Sequence, residues 1–186
     1  IIANSITGSA GSVTNNGLIV TQTAVDSSLV GSGNAPVTPS AGQIVWTGAA
    51  SNAWATAGNW AGGSVPSNTD KIKIPASAPN KPVITTAVTI DDTENLTIDT
   101  GTNITVNGSG SLTLTTGTFD ISKINNNSTG TLIFSDDYSH PFDDYSVPEN
   151  WSYSAPNLAI ECRGNLTVSK NLECKSIIVT GTSSLS

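Results

Sequence analysis

Apolar residues recur in pairs along the middle of the chain, and one polar residue separates the two members of each pair. The pairs follow at intervals of eight residues, with one interval of seven: Val88/Ile90, Leu96/Ile98, Ile104/Val106, Leu112/Leu114 and Phe119/Ile121. This alternation has the two-residue period of a β-strand that buries one face. The segments between the pairs, such as 107–110, contain Asn and Gly, which favour tight turns. The pattern therefore predicts short strands joined by turns.

Two architectures use short strands at this spacing, the antiparallel β-sandwich and the parallel β-solenoid. The strands here are uniform, each carries two inward residues, and the spacers are nearly constant. Three strands of this repeat would close a coil of about 24 residues, and coils would stack about 4.8 Å apart. We therefore predict an all-β chain that forms a right-handed parallel β-solenoid (β-helix) with a loop insertion. The antiparallel sandwich is the alternative.

The pattern divides the chain into three parts. Residues 1–40 are predicted to form irregular N-terminal β-coils, and residues 41–82 a Trp-rich coil or corner. Residues 83–186 carry the solenoid repeats, which a loop insertion interrupts at about 135–156. The chain stops in a Ser-rich stretch without a closing element, so we expect neighbouring repeats beyond one or both ends.

Composition supports this fold class and restricts the partners. Ser, Thr and Asn number 25, 25 and 18, and these residue types favour strands and turns over helices. The net charge of −7 would repel a phosphate backbone, so nucleic-acid binding is not expected. No apolar run approaches the roughly 18 residues of a membrane span, so direct membrane insertion is not expected either.

Three of the four tryptophans, Trp46, Trp54 and Trp60, fall within fifteen residues. They belong to the pattern Trp46-x-Gly48, then Trp54, then Asn59-Trp60, followed by Val65-Pro66 and by 70–74 (Asp-Lys-Ile-Lys-Ile). This segment resembles one that precedes β-solenoid repeats in secreted bacterial surface proteins of the adhesin-like and autotransporter-passenger-like type. The resemblance covers about residues 44–121. It implies an extracellular location at a bacterial cell surface.

The tryptophans have two interpretations. In the structural one, Trp46, Trp54 and Trp60 bury their indoles and form a compact core at a coil corner, which a thin solenoid needs. The flanking glycines and Pro66 favour this interpretation because they suit a tight, buried loop. In the functional one, exposed indole faces stack on sugar rings.

The predicted insertion at 135–153 is acidic and aromatic. Its aromatic residues Tyr138, Tyr145 and Trp151 are candidates for contact with a glycan or a protein. Its oxygen ligands for a possible Ca²⁺ ion are Asp136, Asp137, Asp143, Asp144 and Glu149. Their order does not match an EF-hand or a nonapeptide calcium repeat. The alternative is a solvated acidic loop whose aromatics pack onto the sheet.

The two cysteines, Cys162 and Cys174, occur in similar settings, each two residues after an apolar residue and one after Glu. A secreted protein would permit a disulfide between them, although both could also be buried thiols. Catalysis is not expected. The chain has one His, His140, and no Gly-x-Ser-x-Gly segment that would present a serine nucleophile.

These observations predict a non-catalytic extracellular structural protein: a stalk, a fibre subunit or an adhesin segment of a bacterial cell surface. Its expected partners are neighbouring copies or further repeats of the same chain, arranged head to tail, and surface glycans. No cofactor is expected beyond the possible calcium ion. A carbohydrate-binding module is the alternative function, and a β-helix polysaccharide lyase or hydrolase is the third.

Overall fold

The computed structural model describes residues 2–3, 9–21, 27–116, 119–134, 153–162 and 172–179. These residues form fourteen short strands and four 3-10 turns. The strands are β1 Ile2–Ala3, β2 Val13–Asn15, β3 Val20–Thr21, β4 Val30–Gly33, β5 Gln43–Val45, β6 Lys71–Ile74, β7 Val83–Ile84, β8 Ala87–Ile90, β9 Leu96–Ile98, β10 Thr105–Val106, β11 Ser111–Leu114, β12 Thr131–Phe134, β13 Tyr153–Cys162 and β14 Leu172–Val179. The turns are Ser27–Leu29, Ala57–Asn59, Thr93–Asn95 and Ile121–Lys123.

The strands stack as parallel coils. One sheet has five strands in the order β14-β13-β12-β11-β8, a second has three in the order β5-β6-β9, and a third pairs β7 with β10. Successive strands of one coil enter different sheets, so the chain winds through all three before it returns to the first. Every pair of named strands is parallel, which excludes the antiparallel sandwich. The chain is a β-solenoid of about four turns.

The register confirms the predicted coil length where the repeat is most regular. Leu112 lies opposite Val88, a coil of 24 residues, and Leu132 lies opposite Leu112, a coil of 20 residues. The inward residues therefore form a column that continues to Ile160. Leu112, Leu132 and Ile160 are at most 1% exposed. Burial of like residues on like residues is what the eight-residue alternation predicted.

One predicted strand is wrong. The pair Phe119/Ile121 does not form a strand, because residues 121–123 form a 3-10 turn. Asp120 caps this turn, since its Oδ1 accepts hydrogen bonds from the backbone N–H of Ser122 at 3.0 Å and from the Ser122 hydroxyl at 2.6 Å. The side-chain cap satisfies the backbone locally and removes the need for a strand partner. The second sheet consequently ends at β9.

The N-terminal coils are smaller. β1 pairs with β3, β2 pairs with β4, and Val20 forms a parallel bridge to Val37, a spacing of 17 residues. The side-chain amide of Asn15, which is 5% exposed, donates to the Asn34 carbonyl at 2.6 Å, and Asn34 donates in turn to the Gly17 carbonyl at 3.0 Å. These amide bonds join one turn to the next at the corner of the coil.

Close backbone contact fixes another corner. A Cβ at Gly130 would lie 2.5 Å from the Gly110 carbonyl oxygen, and a Cβ at Gly110 would lie 2.5 Å from the Ile84 carbonyl oxygen. Two glycines therefore stack on successive coils just before β11 and β12, where a side chain has no space. None of the helical elements among the described residues is long and apolar enough to cross a membrane.

Candidate functional surfaces

The three clustered tryptophans form one buried cluster, which we name the Trp corner. The ring centroids of Trp46 and Trp60 are 4.9 Å apart at 80°, and those of Trp54 and Trp60 are 4.7 Å apart at 76°. Trp46 and Trp54 are stacked at 6.3 Å. The edge-to-face contacts place the positive ring edge of one indole against the negative face of another. The three residues are 0%, 3% and 2% exposed, respectively.

Polar atoms of the indoles are also used inside the protein. The Trp46 Nε1–H donates to the Asn80 carbonyl at 2.7 Å, and the Trp60 Nε1–H donates to the Trp54 carbonyl at 2.8 Å. A sugar platform needs an exposed indole face, so that interpretation does not fit Trp46, Trp54 or Trp60. The geometry matches the structural interpretation instead, since the indoles fill the interior of a coil corner.

Asn59 holds the loop that carries these indoles. Its Oδ1 accepts from the backbone N–H groups of Ala50 at 2.9 Å and Ser51 at 2.7 Å. Its Nδ2 donates to the Ser51 hydroxyl at 2.9 Å and to the Ala53 carbonyl at 2.8 Å. The side chain is fully buried, so all four bonds are shielded from water. The sequence marked Asn59 as part of the motif but gave no sign of this role.

Gly48 explains the second fixed position of the motif. Its φ is +57°, and a Cβ there would lie 2.5 Å from the Asn80 carbonyl oxygen. Asn80 also donates from its side chain to the Gly48 carbonyl at 2.6 Å. Gly48 therefore lets the backbone of residue 80 approach the corner closely enough to receive the Trp46 N–H.

The outer surface of the five-stranded sheet is mostly uncharged. Two columns of outward residues follow the register: Ala87, Ser111, Thr131, Ala159 and Ser176 in one, and Thr89, Thr113, Ile133, Glu161 and Ile178 in the other. Glu161 is the one charged member of either column. The sheet therefore presents a regular, largely neutral strip along the solenoid axis.

Charged groups among the described residues are scattered or paired. Lys73 forms an ion pair with Asp99 between adjacent coils, and Asn68 donates to the Asp91 carboxylate. The backbone N–H and hydroxyl of Ser67 donate to Asp70, at 2.7 and 2.9 Å, and these bonds lower the pKa of the Asp70 carboxyl below its ordinary 3.8. Within the described ranges, no three His, Cys, Asp or Glu side chains are grouped closely enough to hold a metal ion.

The predicted disulfide is absent, since Cys174 is a free thiol. In the register of β13 and β14, Cys162 lies opposite Val179 while Cys174 lies opposite Ala155. Val179 is five residues beyond Cys174, about 17 Å along the strand, whereas a disulfide needs Cα atoms within about 7 Å. Partial burial raises the pKa of the Cys174 thiol, which favours its neutral form.

The last strand of the five-stranded sheet exposes large apolar side chains. Ile178 is 50% exposed and points outward, whereas Ile177 is 37% exposed although it belongs to the inward column of Leu132 and Ile160. The inward column is therefore open at β14.

The remaining predicted site residues belong to the insertion and lie outside the described residues. They are the aromatic candidates Tyr138, Tyr145 and Trp151, and the calcium candidates Asp136, Asp137, Asp143, Asp144 and Glu149.

Comparison with known proteins gives a family but no activity. The model of the family described as Domain of unknown function (DUF8693) matches residues 45–140, which is 96 of the 186 residues. The chain therefore belongs to the DUF8693 family. Neither the search of curated proteins nor the search of solved structures found a match. The matched segment begins one residue before Trp46 and includes the Trp corner and strands β6 to β12.

Proposed function

We propose that this member of the DUF8693 family is a non-catalytic structural segment of an extracellular bacterial surface protein: a rigid stalk, a fibre subunit or an adhesin segment. The observation that carries the proposal is the five-stranded parallel sheet, in which like residues stack on like residues from β8 to β14. Such a sheet satisfies the backbone of each coil with hydrogen bonds to its neighbours, so coils can be added without a new design of core.

The surface chemistry suits an extended role outside a cell. The outward columns consist of small, hydroxyl-bearing and apolar residues, with Glu161 as the one charge. The chain carries only seven Lys and Arg residues and has a net charge of −7, so acidic nucleic acids and anionic lipid surfaces would repel it. These features favour a spacer that avoids nonspecific binding.

We propose further that β14 is an assembly edge at which a neighbouring copy, or the next repeat of the same protein, stacks head to tail. Ile177 belongs to the inward column but is 37% exposed, so a further coil placed on β14 would bury it. A parallel sheet edge also offers backbone groups that an added strand can pair with. Burial of the inward column and pairing of the strand edge would thus occur together.

The assembly proposal is tested by sedimentation velocity over a range of protein concentrations and by negative-stain electron microscopy. Ile177→Lys places a charge in the inward column at β14, and it should abolish concentration-dependent association. Val65→Lys is the matched control, because Val65 is also an exposed apolar residue, at 39%, but lies away from β14. Circular dichroism checks that both variants keep the fold. A wild-type chain that stays monomeric at all concentrations, or equal association of both variants, would overturn the head-to-tail arrangement.

Location is tested separately in the source cells with an antibody raised against the folded chain. Immunogold labelling of unbroken cells should place the protein on the outer surface, and shaving of those cells with protease should remove it. Labelling confined to the cytosol would contradict the structural role at the surface, whatever the assembly result.

A further inference from the structure

A groove lies outside the second sheet, between β9 and the 3-10 turn 121–123, and has a volume of about 300 Å³. Its walls are formed by Thr93, Glu94, Leu96, Thr97, Ile98, Phe119, Asp120 and Lys123. The turn produces the groove. In the coil below, this position holds a strand, whereas the next coil replaces that strand with the Asp120-capped turn.

The groove combines an apolar surface with hydrogen-bonding groups. Ile98 and Phe119 are half-buried apolar residues that pack against the main core. The carboxylates of Glu94 and Asp120 and the ammonium group of Lys123 belong to its walls. The single Lys faces two carboxylates, so the groove has a small negative charge and would repel an anion.

Thr93 adds an observation that the fold itself does not explain. The residue is only 4% exposed, and its Oγ1 has no hydrogen-bond partner among the described residues. A buried hydroxyl without a partner costs about 1–3 kcal/mol, and such groups are usually satisfied by water or a ligand. Thr93 is one of the residues that line the groove, so a ligand hydroxyl in the groove could satisfy it.

We propose that this groove binds one neutral, hydroxyl-rich ring, that is, a single neutral saccharide unit. The hydroxyls of such a ring donate to the carboxylates of Glu94 and Asp120 and bond to Thr93, while its C–H face covers Phe119 and Ile98. The volume is at the lower end of the range of about 300–1,000 Å³ for small-molecule sites, which suits one ring rather than a long chain. This site is independent of the proposed structural role and shares no residue with the Trp corner.

The test is titration of the ¹⁵N-labelled chain, followed by NMR, with D-glucose, D-galactose and N-acetyl-D-glucosamine at millimolar concentrations. We expect at least one of them to shift the amide signals of residues 93–98 and 119–123 in a saturable way. D-glucuronate, which adds a carboxylate, should bind more weakly than D-glucose because Glu94 and Asp120 repel it.

Variants then assign the binding to the groove. Thr93→Val keeps the volume but removes the hydroxyl, and should weaken binding about fivefold or more, the loss expected for one hydrogen bond. Glu94→Gln changes an exposed side chain and should weaken it without loss of fold. Thr93→Ser keeps the hydroxyl and should retain binding if Thr93→Val fails to fold. Thr89→Val, on the outer face of β8, is the matched control and should bind like the wild type.

Three outcomes would overturn the proposal. The first is an absence of saturable shifts with all three neutral sugars, which would assign the Thr93 hydroxyl to water. The second is binding that Thr93→Val and Glu94→Gln leave unchanged, which would place the sugar elsewhere. The third is tighter binding of D-glucuronate than of D-glucose, which would contradict the charge argument.

Discussion

Replacement of Asn59 by Ala should destabilise the protein strongly, although Asn59 contacts no outer surface. The fully buried side chain makes four hydrogen bonds to the loop 50–53, two as acceptor and two as donor. Removal of the amide leaves two backbone N–H groups and one backbone carbonyl without that partner. The Ser51 hydroxyl can rotate to another acceptor, so we count three groups rather than four.

The size of the effect follows from these groups. Each buried bond contributes about 0.5–1.5 kcal/mol net, and a buried polar group left without a partner costs about 1–3 kcal/mol. Water that enters the vacated space offsets part of this, so we expect a loss of about 3–5 kcal/mol in the free energy of unfolding. A domain of ordinary stability has about 5–15 kcal/mol in total.

Urea unfolding measures the loss. Tryptophan fluorescence reports on the Trp corner and far-UV circular dichroism on the whole solenoid. With a slope of about 2–3 kcal/mol per molar urea, the midpoint of Asn59→Ala should fall by about 1–2 M. Asn52→Ala is the control, since Asn52 lies in the same loop and is exposed. A loss below about 1 kcal/mol, or equal midpoints for the two variants, would refute the argument that this amide holds the corner.

Three further predictions concern the coils and one turn. Leu112→Ala should cost about 2–5 kcal/mol in urea unfolding because it opens a cavity in the inward column, whereas its outward neighbour Thr113→Ala should cost about 1 kcal/mol or less. Gly110→Ala should lower the melting temperature because its Cβ would meet a carbonyl of the coil below, whereas Gly17→Ala, with nothing within 4 Å, should not. Asp70 has a lowered pKa, so its contribution to stability is complete above pH 3.8 and is lost as the pH falls through its folded pKa; an NMR titration that gave Asp70 a pKa at or above 3.8 would contradict this.

The coil length was predictable because the information is local. Alternation at Val88/Ile90 and at Leu112/Leu114 identifies the inward face, and the constant interval places these pairs on successive coils. The Trp corner was predictable as a buried cluster, but its hydrogen bonds were not. Nothing in the pattern around Asn59 distinguishes an amide that binds four groups from one that faces solvent.

The failures occurred where the register depends on events elsewhere in the chain. Cys162 and Cys174 have similar neighbours, which suggested equivalent positions on adjacent coils. Residues on adjacent strands here are separated by 17 to 19 positions, as in Cys162 opposite Val179 and Ala155 opposite Cys174, rather than by 12. Similarly, Ile121 follows the apolar pattern, but the cap by Asp120 turns its backbone into a 3-10 turn.

The position of the Trp corner follows from a change in coil size. The N-terminal coil from Val20 to Val37 has 17 residues, whereas the coil from Ile44 to Ile72 has 28 and the next, to Leu96, has 24. A longer coil encloses a wider interior, which the small side chains of the N-terminal part cannot fill. Indoles have the largest side-chain volume, and three of them pack at the first wide coil. We therefore infer that the corner lets a narrow stack continue as a wide one, and that its loss would separate the two stacks before it unfolded either.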